Sequence, residues 1–427
     1  MIKKRIKKKE IFSTTEITEL LRDNGIGDNG GKINFPNSIL KNYIRLNKPL
    51  AFDLAYAVGL FAVYPMYEIL YKNPDLVKIF GNINMARIQS IALLSSIYNK
   101  KTMCSKGSEE TLAGIIAAVF DYDLNNSLLG TFRTSDHNLI ICDNCGTGGD
   151  NLNTFHISTT SALIVATHAI KNNFAVIKHG SPGNSQKSGS SDFIELLGVK
   201  TMPKDINYIQ RLITETGFGF IEALDTRFKK IHTQTHKFSN MAHMNDIIGP
   251  MTSPIYPEQL QIKLLGVNQV IDPLTVARAY QLLNKYSITN IKKGLIVRGL
   301  VNNRDPTITI DEISIIAEGG TEAVLIENDK ITKLNLLTSS SFGIKKPARL
   351  QEITPRINNR EGRINYSLDV LRGNAPDGAV NTMLVNAGAL IALSMDSIDF
   401  KKGTEIARDI FDSGEHLKTL KRLKDIT

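Results

Sequence analysis

Gly146-Thr147-Gly148-Gly149-Asp150 places three glycines in five residues, after the apolar run Asn138–Cys142 and before a helical pattern at Ser158–Ile170. Glycine lets backbone N–H groups approach an anion closely and tolerates positive φ. A helix start nearby adds a favourable dipole. The string is a phosphate cradle in outline. It is not a P-loop, because no Gly-Lys-Ser/Thr follows. It is not a dinucleotide fingerprint, because Asn151 stands where the third glycine belongs.

Two further strings strengthen the reading. His156-Ile157-Ser158-Thr159 puts hydroxyls at the start of the helical pattern, where simple N-capping would serve as well. Lys178-His179-Gly180 follows a second apolar run, Phe174–Ile177, and leads into the Ser/Gly-rich stretch Ser181–Ser191. Two anion-friendly loops would then share one edge of a sheet, where ligands of α/β proteins bind.

The elements that must position these loops are legible in outline. From residue 138 the order is strand, loop, helix, strand, loop, helix (Ser191–Leu197), the pattern of a parallel layer. Helix Ile206–Thr216 and strand Phe218–Ala223 continue it. Helix Pro273–Tyr286, strand Gly294–Arg298 and a hairpin around Asn328-Asp329 follow, then helices at Val380–Leu393, Lys402–Phe411 and Gly414–Leu423. Residues 37–130 read as mostly helical, with apolar spacing in Ile88–Tyr98 and Thr111–Phe120. Residues 10–36 read as mixed, with turn signals. The expected class is α/β: a small, mostly helical N-terminal domain and a larger α/β domain with a mainly parallel central sheet. The expected boundaries are an extension over 1–39, a helical domain over 40–132 with a return segment near 225–255, and the α/β domain over 133–427.

Composition sets limits. The 427 residues are 42% hydrophobic and 22% charged, as in ordinary globular proteins. No stretch matches the roughly 18 uncharged apolar residues of a membrane span. Leu54–Leu70 comes nearest and reads as buried helix. The net charge is +9, and the six Lys or Arg of Met1–Lys9 leave about +3 for the body. That tail could touch nucleic acid, although a solvated terminus is the plainer reading. Cys104, Cys142 and Cys145 suit a reducing cytoplasm. Cys142-x-x-Cys145 has no second pair and reads as structural.

Further strings complete a pattern. They are Ser188-Gly189 with Asp192, Ile247-Ile248-Gly249-Pro250 with Pro254, Asp311-Glu312, and Leu384-Val385-Asn386-Ala387-Gly388. With these, the chain resembles the anthranilate phosphoribosyltransferases from about Ala86 to Leu423. The resemblance implies a cytoplasmic transferase of tryptophan biosynthesis, homodimeric through its helical domain. It implies that phosphoribosyl diphosphate (PRPP) is held by Gly146, Gly149, Asp150, Thr154, His156, Ser158, Thr159, Lys178, Ser185, Gln186 and Ser190. It implies Mg²⁺ on Ser158, Asp311 and Glu312, oxygen donors that suit a hard cation. It implies a small aromatic acceptor against Gly146, His179, Ser181, Lys230, Gly249 and Pro250. No covalent nucleophile is needed.

The chain departs from the family in four places. Lys178-His179-Gly180-Ser181-Pro182 stands where the family reads Lys-His-Gly-Asn-Arg, so Ser181 replaces an acceptor-binding asparagine. The acceptor's arginine becomes Lys230, or Lys229 with a one-residue slip. The asparagine of the diphosphate region becomes His156. Arg298-Gly299 replaces a His-Gly pair, and eleven residues separate it from Asp311. Acceptor features are thus altered more than donor features, and the acceptor need not be anthranilate. Two other functions compete: a pyrimidine-type nucleoside phosphorylase, and a nucleic-acid-binding homologue using the tail and residues 229–243. Asp311-Glu312 favours PRPP and metal over the first. No aromatic platform supports single-strand binding by the second.

Overall fold

The computed structural model describes residues 12–27, 33–66, 68–123, 132–149, 152–183, 188–203, 205–222 and 244–426. The chain divides into two units. One contains Met1–Gly130, Thr226–Thr252 and Val270–Thr289, and the other contains Thr131–Asp225, Ser253–Gln269 and Asn290–Thr427.

The first unit is helical. Its first described helix, Thr14–Asp23, lies in the stretch read as mixed. A capping box starts it: Ser13 Oγ accepts from the Glu16 amide and the Ser13 amide donates to Glu16 Oε2. Helices Phe52–Val63 and Ser108–Asp123 approach closely. A Cβ on Gly114 would overlap the Phe52 carbonyl oxygen, so only glycine fits at that crossing. The apolar stretch read as one buried helix ends at Val63 and turns through a 3₁₀ segment, Tyr64–Met66. Helices Asn245–Met251 and Pro273–Lys285 come from the two returning segments.

The second unit is built on a sheet of β1 (Ile140–Gly146), β2 (Phe174–Gly180), β3 (Phe218–Glu222), β4 (Leu260–Gly266), β5 (Lys293–Asn302), β6 (Asp305–Ile310), β7 (Gly320–Glu327) and β8 (Lys330–Lys333). The order is β3-β2-β1-β4-β5-β7-β8, with β6 on β5. The first five strands of that order run parallel and β6 to β8 pair antiparallel, so the sheet is mostly parallel, as expected. Asn328 and Asp329 close the β7–β8 hairpin with φ of 47° and 67°. The chain leaves β1 toward β2 and β3, then crosses to β4 on the other side. The carboxyl ends of β1 and β4 therefore flank a topological switch point, where a crevice opens.

One expectation needs correction. Lys178 and His179 lie inside β2, paired with Phe220 and Ile221 of β3, rather than after the strand. Both side chains are buried. They stay in the strand because each finds polar partners, described below. No helix of the described residues is long and apolar enough to cross a membrane.

Candidate active site

β1 ends at Gly146 and β4 at Gly266, and the two are register partners. The segment after β6 lies across them. A Cβ on Gly146 would fall on Asp311 Oδ2, and one on Gly266 would fall on the Asp311 carbonyl oxygen. Gly148 and Gly149 turn the following loop with φ of +66° and +72°. Asp311 Oδ2 accepts from the Gly148 amide at 2.6 Å. Asn386 fixes the other side: its Oδ1 accepts from the Ile313 amide and its Nδ2 donates to the Ile313 carbonyl, both at 3.0 Å. The acidic pair therefore does not begin an exposed helix. It sits on irregular backbone with Asp311 buried.

Lys178 reaches the same place from β2. Its Nζ donates to the Asn144 carbonyl at 3.2 Å and to Ser158 Oγ at 3.1 Å. Burial pushes this ammonium below its ordinary value, against the pull of Cys145, Asp143 and Glu312. Helix Ile157–Ala169 starts without a side-chain cap bond, so N-capping does not explain the hydroxyls of Ser158 and Thr159. Thr159 Oγ1 is buried and has no hydrogen-bond partner among the described residues. Ser158, Asp311, Glu312 and Asn144 line one small cavity. Asn144 Oδ1 is buried and accepts no hydrogen bond among the described residues. Hard oxygen donors lining one cavity suit Mg²⁺, which prefers carboxylates, waters and phosphate oxygens.

The neighbouring loops are tied together. His156 Nε2 lies 2.9 Å from Ser188 Oγ, and its ring stacks on Phe193 at 5.0 Å. Burial pushes His156 well below its ordinary value, and the nearby Arg363 and Lys178 add to this, so the ring is neutral at pH 7. Asp192 Oδ2 accepts from the Gly183 and Gly189 amides at 2.8 and 2.7 Å. Gly180 packs closely on the start of the next helix: a Cβ there would displace Ser190 Oγ. The Thr154 carbonyl accepts from Arg363 Nε at 2.6 Å.

Comparisons with known proteins agree with this geometry. A glycosyl transferase family model for the a/b domain matches residues 138–417. Anthranilate phosphoribosyltransferase of Bacillus cereus (strain G9842) is 30% identical over 293 residues, 68% of this chain and 77% of that protein. The chain belongs to the anthranilate phosphoribosyltransferase family. The Aquifex aeolicus (strain VF5) relative is 31% identical over 294 residues, covering 67% of this chain and 76% of its own. The crystal structure of the Thermus thermophilus enzyme superposes with a TM-score of 0.64 at 21% identity, covering 91% of this chain and 98% of that one. The Saccharomyces cerevisiae enzyme in complex with PRPP and Mg gives 0.65 at 21% identity, with the same coverage. At that identity the structures support the fold.

Against the family's residue pattern, the α/β unit gathers Gly146, His156, Ser158, Thr159, Lys178, Asp311 and Glu312 around the ends of β1, β2 and β4. Gly149, Thr154 and Ser190 stand in the flanking loops or helix start. Of the residues expected to bind the acceptor, His179 is in β2 and Ser181 just beyond it, and Gly249 and Pro250 lie in helix Asn245–Met251 of the helical unit. Asp150, Ser185, Gln186, Lys229 and Lys230 lie outside the described residues, as do the Met1–Lys9 tail and residues 229–243. Sequence reading missed Asn144, Lys263, Arg360 and Arg363. The i, i+3 spacing of the two arginines is the only local signal for that pair.

Around His179 lies a buried polar cluster. His179 Nδ1 is 3.2 Å from Asp143 Oδ2, and Ser253 Oγ and Lys263 Nζ both donate to that oxygen. Lys263 Nζ also lies 3.3 Å from Cys145 Sγ. Burial would raise the Asp143 carboxyl, but His179 and Lys263 outweigh it and hold it well below its ordinary range. Asp143, Cys145 and His179 offer O, S and N atoms within 4.8 Å of one another, a set that zinc could use. Lys263 already brings a positive charge to two of these groups. Burial, the largest influence, pushes the Cys145 thiol up to about 11. Cys142 and Cys145, three apart on β1, point to opposite faces of the sheet and do not form a metal pair.

Proposed function

We propose that the protein transfers the phosphoribosyl group of PRPP to a small aromatic acceptor, with Mg²⁺ and with release of diphosphate. The observation that carries this is the Gly148–Asp311 contact: an acidic pair sits in the mouth of a glycine loop shaped for phosphate. An acidic pair would repel phosphate, so its presence there calls for a cation between them. Relatives named as anthranilate phosphoribosyltransferases, and a yeast homologue in complex with PRPP and Mg, support the same reading.

The protein's own groups would do three things. The Gly149 amide, with Lys178 and Ser158, would hold the donor's phosphates. Asp311, Glu312, Ser158 and Asn144 would hold Mg²⁺. His179 and Ser181 would help hold the acceptor on the face opposite the leaving diphosphate. Bound Mg²⁺ would neutralise charge growing on that diphosphate. Positioning then carries much of the rate, and no protein nucleophile takes part. A homodimer built through the helical domain, a cytoplasmic location and a role in tryptophan biosynthesis complete the proposal. The test is PRPP consumption against a panel of aromatic acids and bases, with and without Mg²⁺. Mg²⁺-dependent diphosphate release with one acceptor is the expected result. Absence of PRPP binding in calorimetry would refute the reading.

A further inference from the structure

Helix Arg360–Arg372 presents Arg360, Arg363 and Ser367 to the two phosphate-side loops. Their i, i+3, i+7 spacing puts them on one face. Arg363 Nε donates to the Thr154 carbonyl at 2.6 Å and its Nη1 to the Ser188 carbonyl at 2.7 Å. Ser367 Oγ accepts from the His156 amide at 2.9 Å. Arg360 Nη2 donates to Asp192 Oδ1 at 2.5 Å, and Asp192 in turn holds the Gly183 and Gly189 amides. One helix thus fastens the loop before helix Ile157–Ala169 to the loop after β2.

We infer that Arg363 is a positioning residue for the phosphoribosyl donor, locking the Thr154–His156 segment to Ser188 so that both loops meet one ligand at a fixed spacing. The inference rests on the proposed function. A planar guanidinium suits this work, because its rigid fork sets two bonds at once in a way a lysine ammonium cannot. The charge also fits. Arg363 and Lys178 both bear on the buried ring of His156, so two cations from different elements converge beside the glycine loop. Such convergence favours a polyanion. PRPP carries phosphate at both ends and can engage both loops, whereas pyrophosphate is short enough to use one.

The test compares wild type, Arg363→Ala and Arg363→Lys by calorimetry with Mg²⁺ and either PRPP or pyrophosphate, alongside thermal unfolding. The expected result for Arg363→Ala is a loss of PRPP affinity of about 10–100-fold, the scale of lost charge-assisted hydrogen bonds, with pyrophosphate affinity within about threefold. Arg363→Lys keeps the charge without the fork and recovers only part of the loss. PRPP affinity within about threefold of wild type overturns the inference, as does an equal loss for both ligands. If Arg363→Ala does not fold, Arg363→Lys decides by the same comparison. A wild-type protein that binds no PRPP removes the proposed function itself, which is a different outcome from a wild type that binds and a variant that binds equally well.

Discussion

Asp311 Oδ2 accepts a hydrogen bond from the Gly148 amide at 2.6 Å across 163 residues of sequence. That contact makes the acidic pair and the glycine loop one surface. It is possible only because Gly146 and Gly266 lack side chains where Asp311 crosses them.

The Asp311→Ala, Glu312→Ala double variant is expected to lose Mg²⁺-dependent PRPP affinity by at least about 100-fold, because two charged contacts go together. Calorimetry with and without Mg²⁺ checks this. Wild-type affinity that still depends on Mg²⁺ would remove the pair from the site.

Lys263 is fully buried and bound to Asp143, which is buried as well. Lys263→Met leaves that carboxylate without its cation and should cost about 3–5 kcal/mol of stability. Urea unfolding measures it. Adding Asp143→Asn to the same protein should recover part of the loss, since the uncompensated charge disappears. Equal or greater destabilisation in the double variant would show that packing dominates the site.

The buried thiols predict an alkaline weakness. Burial pushes Cys142 well above its ordinary value of 9.0, and Cys145 up to about 11. A folded-state pKa raised in this way means the native protein keeps protons that the unfolded chain gives up. The Cys145 contribution is complete below pH 9 and is lost as pH climbs toward 11, and Cys142 acts in the same direction. Urea midpoints at rising pH should fall over that window. A thiol reagent at pH 8 should label exposed Cys104 in the native protein and reach the other two only on unfolding. Labelling of all three without unfolding would contradict the assignment.

Anthranilate is expected to be a poor acceptor, with catalytic efficiency below about 10⁴ M⁻¹s⁻¹. Ser181 replaces an asparagine of the family pattern, and Pro182 beside it removes a backbone donor. Ser181→Asn should raise efficiency with anthranilate several-fold, about the value of one hydrogen bond. Steady-state kinetics decide. An efficient wild-type enzyme would show that Ser181 and Lys230 suffice.

Local signals made much of this protein legible. Strands β1, β2, β3 and β5 announce themselves as short apolar runs, whereas Gln261 and Lys263 interrupt β4 and leave it unread; the glycine loop is visible because its chemistry lies within five residues. Helix Ile206–Thr216 keeps its expected bounds because Asp205 caps it and Gly217 ends it in the left-handed region. Lys178 and His179 read as loop residues because a charged side chain within a strand is costly until partners are known. Those partners, the Asn144 carbonyl, Ser158 Oγ and Asp143, come from other elements. β6 begins Asp-Pro and is largely exposed, which hides it from any apolar pattern. The Arg360–Arg372 helix is mostly polar, and its use is visible only when residues 175 and 209 positions away are seen against Arg363. Helix Pro273–Lys285 is plain in the sequence, but nothing local says which unit it joins.

The Phe155 amide donates to the Ile353 carbonyl, His156 is held by Ser367, and Ile313 is held on both sides by Asn386. On the ribosome, the Phe155–His156 turn is therefore made 211 residues before Ser367, its partner at His156. At about 5–20 residues per second that delay is roughly 10–40 s. Throughout that interval the Phe155–His156 turn lacks one of the partners that hold it. Translation that stalls before Asn386 leaves Ile313, next to the acidic pair, without the side chain that holds it on both sides.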